Sequence, residues 1–171
     1  MEIVGIDVDD RADGNGKAGL TWISKDLLKT PRQPYNGKTD YAIAPLRTHI
    51  NETVRSLLDD NLKNNIVPVN KVTGYYSDSS FKTKTTQEDL WIPSVYELGL
   101  RTNIETTGAK YSTKFQIDVD RIKKNGGYAR QWLTRSVVSG FNCGGVATGG
   151  AYDSVELSVA NSYIALGFCT N

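Results

Sequence analysis

The sequence carries a single histidine, His49, and two cysteines, Cys143 and Cys169. Triads and Cys–His dyads need an imidazole beside the nucleophile. His49 falls inside a helical pattern and nothing around it nominates a partner. No catalytic residue is therefore expected, and the chain reads as a non-enzyme. Two cysteines do not make a disulfide framework in a chain of 171 residues. Cys169, in "ALGFC", reads as a small buried hydrophobe, and both thiols are expected to be free. An excess of one charge is also missing. The 20 basic and 19 acidic residues leave a net +1, which supplies no basic face for nucleic acid. No apolar run approaches the roughly 18–20 residues of a spanning helix, so no membrane insertion is expected. The opening "MEIVGIDVDDRADGNGK" is acidic where a secretion signal is basic and apolar. The chain reads as the C-terminal domain of a longer protein, or as a protein delivered by assembly rather than by secretion.

Motifs for phosphates and metals are missing too. No G-x-S-x-G, P-loop or G-x-G-x-x-G stands in a strand-to-helix setting. "GNGKAG" has the Gly and Lys of a phosphate loop without its spacing. "DVDDRADGNG" fails as a calcium loop. Counting from Asp9, Arg11 takes the third position and Leu20 the twelfth, where oxygen ligands belong. Asp7, Asp9, Asp10 and Asp13 read instead as a solvated acidic turn. Asp118 and Asp120 share a face if extended, but Arg121, Lys123 and Lys124 beside them point to ion pairing. No cofactor and no metal are expected.

What is present suffices for one domain over residues 1–171. "EIVGIDVD" and "LTWISKDLL" alternate apolar and polar residues and predict two strands joined through an acidic loop. The one clear helical region runs from about Tyr41 to Ile66, capped by Asp40. Ile43, Leu46, Ile50 and Val54 make one apolar stripe and Leu57, Leu58, Leu62 and Ile66 a second. This predicts two helices with a break near residues 51–53. "IVPVNKV" reads as a strand, "TGYYSDSSFKTKTTQED" as a polar loop and "LWIPS" as a short buried strand. Ser94 and Glu97 have the spacing of a capping box opening a short helix. Residues 101–127 read as a long irregular loop. "QWLTRSVV", "GGVATGG", "YDSVELSVA" and "YIALGFC" read as closing strands. The fold class this predicts is α+β, with helices segregated from small antiparallel sheets.

Trp22, Trp91 and Trp132 each lie in a strand-like segment and read as core. Tyr75, Tyr76, Phe81, Phe141, Tyr152 and Tyr163 lie in or beside loops. Tyr mixed with Ser, Gly and Asn is the composition of adaptable binding surfaces.

The blocks "TTQEDLWIPS", "RIKKNGGYARQWLTRS" and "IALGFC", together with "GKAGLTWISKDLL", "LRTHINETV" and "LKNNIVPVNKVT", give the chain a resemblance over nearly its whole length. It resembles a domain family of phages and prophages of gut bacteria with a C-type-lectin-like fold. That family is akin to the variable proteins of diversity-generating retroelements. The resemblance implies two helices packed on small mixed sheets with long loops, and a ligand-facing surface in the C-terminal portion. Residues 136–155 contain no Lys, Glu, Gln, Met or Trp, which fits a diversified patch and equally fits a Gly-rich turn region. The implied ligand-binding residues are Ser139, Phe141, Asn142, Tyr152, Asp153, Ser154, Asn161 and Tyr163. The function expected is recognition of a host cell-surface protein or glycan, on a virion surface or facing the exterior, beside other virion proteins. The alternatives are a structural virion component without a specific ligand, and an enzyme of the formylglycine-generating type using Cys143 and Cys169.

Overall fold

The computed structural model describes residues 1–100 and 104–171. The two opening strands form as expected, but a register shift between Ile3 and Gly5 breaks the alternation and leaves Ile6 in solvent. Strand β1 (Glu2–Ile6) pairs antiparallel with β2 (Leu20–Ile23), and β12 (Gly167–Thr170) completes a sheet in the order β1-β2-β12. The closing segment is thus shared between two sheets. Its first part, β11 (Tyr163–Ile164), joins a five-stranded sheet in the order β10-β9-β8-β11-β3. The other members are β3 (Leu28–Lys29), β8 (Trp132–Val137), β9 (Asn142–Val146) and β10 (Tyr152–Glu156). Strand β8 is buried along its whole length. Trp132 enters one apolar cluster with Trp91, Tyr111 and Ile23, and Leu133 and Val137 enter another with Tyr35, Tyr41 and Leu46. Trp91 and Trp132 are core residues as expected, whereas Trp22 is half-buried and stacks on Phe168.

The segment expected to be a polar loop is instead the longest hairpin. Strands β4 (Val69–Ser77) and β5 (Ser80–Glu88) pair over their full nine residues each. The two turn residues, Asp78 and Ser79, both have positive φ, 51° and 59°, as a two-residue turn between twisted strands demands. A two-stranded ribbon of β6 (Lys124–Asn125) and β7 (Tyr128–Ala129) interrupts the irregular stretch. Residues 101–103 of that stretch lie outside the described residues.

Helix is the smaller part. Strand accounts for 36% and helix for 15% of the described residues, so sheets rather than a helical layer frame the molecule. The expected α+β, C-type-lectin-like arrangement of two helices packed on small sheets is corrected to a mainly β architecture. The physical reason lies in the second apolar stripe. Helix α1 (Pro45–His49) buries Leu46 and continues through a π turn, Ile50–Val54, that buries Ile50. The expected break at 51–53 is therefore a widened turn, not a break. The run ends beyond it, where the Leu57 and Leu58 N–H groups bond back to the carbonyls of Val54 and Arg55. Leu57 stays 79% exposed. Asp59 then caps α2 (Asp60–Asn65), accepting from the Leu62 N–H at 2.9 Å, and α2 buries none of its residues. The Ser94–Glu97 capping box does form, with bonds of 2.9 and 3.1 Å in the two directions. It closes a single turn only, because Gly99 takes φ +67° and leads the chain out. No helix among the described residues is long and apolar enough to cross a membrane.

Candidate functional site

The hairpin tip and the β8–β9 turn come together to make a groove of about 910 Å³. Tyr75, Tyr76, Ser77, Asp78, Ser79 and Phe81 form one wall, Ser139, Gly140 and Phe141 the other, and Thr39, Asp40 and Ile43 the floor. Three of its apolar side chains are conspicuously open to solvent: Phe141 is 82% exposed, Ile43 64% and Phe81 45%. Each is held by an ordered backbone. The Ser139 hydroxyl accepts from the N–H groups of Phe141 and Asn142 at 3.1 and 3.0 Å, shaping a serine turn. The Phe141 carbonyl accepts from the Leu157 N–H at 2.8 Å, which ties the turn to the end of β10. Tyr76 and Phe81 are directly opposed across the hairpin and meet edge to face at 5.3 Å. Gly140 abuts the Tyr76 ring so closely that a Cβ there would lie 3.1 Å from Cε1.

The polar rim is charge-paired. Asp40 accepts from the Ala42 N–H at 2.9 Å and pairs with Lys84, whose ammonium lies 4.7 Å from the Tyr75 ring centre. Asp78 pairs with Lys82 at 2.6 Å. The hydrogen bonds from Lys82 and Ser77 hold the Asp78 carboxyl below its ordinary range. A second, smaller hollow of about 450 Å³ shares Gly140 and Phe141 and extends toward Asn142, Glu156 and Ser158.

Of the residues inferred for binding, Ser139, Phe141 and Asn142 are brought together here. Tyr152, Asp153 and Ser154 lie on β10, the edge strand, and Tyr152 opposes Val146 at the far end of β9 from Phe141. Asp153 accepts from the Gln131 amide at 2.5 Å. Tyr163 is on β11, three strands from β10 and so roughly 14 Å away, and Asn161 is exposed just before it. The eight residues are not one patch. Tyr75, Tyr76 and Phe81 have the right composition for a binding surface but lie outside the C-terminal portion in which the resemblance puts the ligand-facing surface. The signal that finds them is the polar pair Asp78–Ser79 flanked by aromatics. Residues 136–155 are not one outward face either. Ser136, Val137, Val138, Cys143, Gly144, Gly145, Val146, Gly150 and Val155 are buried.

Both cysteines are free, as expected, and both are buried, although burial was expected of Cys169 alone. Burial pushes each thiol up to about 12, so neither is a nucleophile near neutral pH.

A second polar cluster lies inside the molecule. Asp9, read from sequence as part of a solvated turn, is 1% exposed. Its carboxylate meets the Lys71 ammonium at 2.5 Å, and Lys71 also donates to Glu97 at 3.1 Å and to Tyr111 at 2.6 Å. Arg135 donates to Glu97 at 2.6 Å, to the Ile92 and Val72 carbonyls at 2.7 and 2.9 Å, and to Thr73 at 2.9 Å. A register shift in β8 between Leu133 and Val137 lets Arg135 turn toward β4. Desolvation pushes the Glu97 carboxyl up, but the adjoining Arg135 and Lys71 charges outweigh it and hold it at about 2. Asp118 pairs with Arg121 at 3.0 Å, as expected, in a 3₁₀ turn rather than a strand.

Residues 18–164 match the family described as Domain of unknown function (DUF6273). The chain belongs to that family. The matched span includes every lining residue of the groove and, from the buried cluster, Lys71, Glu97, Tyr111 and Arg135, while Asp9 precedes it. No curated protein and no solved structure matches the chain.

Proposed function

We propose that this DUF6273 domain is a ligand-binding module, not an enzyme, and that the groove between the β4–β5 tip and the β8–β9 turn is its binding site. The observation that carries this reading is the set of exposed apolar side chains, Phe141, Phe81 and Ile43, fixed around a concave, polar-rimmed surface. Rings held out on an ordered backbone provide contact area at low entropy cost. The ligand class that fits is an oligosaccharide. Rings stack on the apolar faces of sugars, and Asp40, Asp78 and the Ser77, Ser79 and Ser139 hydroxyls supply hydrogen-bonding partners for sugar hydroxyls. The resemblance to phage and prophage domains gives the setting, recognition of a glycan on a host cell surface. A glycan array probed with the wild type and with Phe141→Ala tests the proposal. The expected result is a defined group of glycans retained by the wild type and lost by Phe141→Ala, with thermal unfolding unchanged. An array with no retained glycan, or equal retention by the variant, contradicts it.

A further inference from the structure

Asp9, Lys71, Glu97 and Tyr111 meet in the interior, none of them more than 3% exposed. The Lys71 Nζ lies 2.5 Å from Asp9 Oδ1 and 3.1 Å from Glu97 Oε1, and the face of the Trp91 ring closes it off at 3.5 Å. Asp9 Oδ2 accepts from the Thr21 hydroxyl at 2.6 Å, and the Tyr111 hydroxyl stands 3.2 Å from it. An amine and a carboxyl are thus in contact, away from water, with a second carboxylate touching the nitrogen. Such fixed proximity replaces a bimolecular encounter, and the exclusion of water removes the competing hydrolysis. We propose that Lys71 and Asp9 condense within the folded chain into an isopeptide cross-link, with Glu97 carrying the proton.

The step balances without any co-reactant. The Lys71 ammonium passes one proton to Asp9 Oδ1 across their hydrogen bond, leaving an amine and a carboxylic acid. The nitrogen lone pair forms a bond to Asp9 Cγ, and negative charge develops on Oδ2, where the Thr21 hydroxyl donates. Glu97 Oε1 accepts a second proton from the nitrogen and returns it to Oδ1. The Cγ–Oδ1 bond breaks and water departs. Ammonium and carboxylate have become a neutral amide and one water, with nothing oxidised or reduced. Arg135, bonded to Glu97 Oε2 at 2.6 Å, keeps the Glu97 carboxylate in place throughout. The product removes two charges from an interior where unpaired ions are costly. It also joins residues 62 positions apart, tying the loop after β1 to strand β4.

Intact-mass spectrometry of the purified, folded chain tests this. The expected mass is one water below that of the sequence, with the loss located in a linked pair of proteolytic peptides carrying Asp9 and Lys71. Asp9→Ala is expected at its full sequence mass, and Asp9→Asn is expected to lose ammonia in place of water. A wild-type chain at full sequence mass overturns the proposal, and this reading needs no variant to fold. A water loss that persists in Asp9→Ala overturns it as well, because the loss then arises elsewhere, for instance at Asp13–Gly14.

Discussion

Glu97 is the residue on which the buried charges balance. Its carboxylate faces Arg135 on one oxygen and Lys71 on the other. Its folded value of about 2 lies below its ordinary 4.5. A depressed carboxyl contributes stability that is fully present above the unfolded value and is lost as pH falls through the folded one. With Lys71 as a free ammonium, unfolding free energy is therefore expected to fall by about 3 kcal/mol between pH near 4.5 and pH near 2; the cross-link proposed above removes that charge and leaves Arg135 alone to hold the carboxyl down, which makes the fall smaller. Denaturant melts across that range measure it, and Glu97→Gln should flatten the acid limb. Arg135→Met leaves Glu97 facing one cation fewer in a buried site. It is expected to cost about 3–5 kcal/mol at neutral pH by the same melts. The thiols make a kinetic counterpart. With burial raising both to about 12, a thiol reagent at neutral pH should leave Cys143 and Cys169 untouched in the folded chain and label both in denaturant. Rapid labelling of either under native conditions contradicts that burial.

At the scale of elements, glycines and turns decide which parts of the molecule can vary. A Cβ at Gly144 would lie 2.5 Å from Val95 Cγ1 and 3.0 Å from Thr134 Oγ1. Gly144→Ala is therefore expected to lower stability by about 1–3 kcal/mol, while Phe141→Ala stays near the wild-type melting temperature. Equal melting temperatures for the two contradict the division of residues 136–155 into a packed part and a presented part. The hairpin tip offers the opposite case. Ser79 holds φ 59° with a side chain, at a cost of about 1 kcal/mol that glycine avoids. Ser79→Gly is expected to raise stability by about 0.5 kcal/mol, after the larger unfolded-state entropy of glycine is set against the relief.

Elements differ in how far the sequence discloses them. The pair of β1 and β2 was legible because apolar and polar residues alternate in both, and β8 to β10 because Gly-rich turns separate short runs; alternation does not mark β8, which is buried along its whole length. The β4–β5 hairpin was not legible, for two reasons. Its turn uses Asp78–Ser79 in place of the usual Asn-Gly, and β5 leaves Phe81 to Thr83 in solvent. The inward set of β4 is Val69, Lys71 and Thr73. A lysine in an alternating strand reads as outward-facing, and only Asp9 and Glu97, distant in sequence, make its burial possible. The groove was half legible for the same reason. Ser139, Phe141 and Asn142 stood in a Gly-rich turn that announced itself, whereas Tyr75, Tyr76 and Phe81 reach the site through a hairpin that alternation did not reveal. The expectation of two helices packed on the sheets failed because Leu57 stays in solvent and Leu58, Leu62 and Ile66 reach the core only as half-buried side chains, so the second stripe makes no buried helical face.

For the whole molecule, the buried charge cluster and the groove occupy different parts of one framework. Strand β4 runs between them, with Lys71 in the interior and Tyr75 and Tyr76 at the groove. Arg135 and Thr73 fasten the middle of β4 to β8 at 2.9 Å, and the Thr39 carbonyl accepts from the Tyr76 N–H at 3.0 Å. The hairpin tip is thus a fixed wall of the groove, which favours a preformed site over one ordered by its ligand. The most direct test is an amide-resonance titration of the folded chain with an oligosaccharide selected on the glycan array. The account predicts shifts concentrated at residues 39–43, 75–81 and 139–142. Shifts concentrated on Tyr152 to Ser154, or at Asn161 and Tyr163, would contradict it and return the binding face to the edge of the five-stranded sheet.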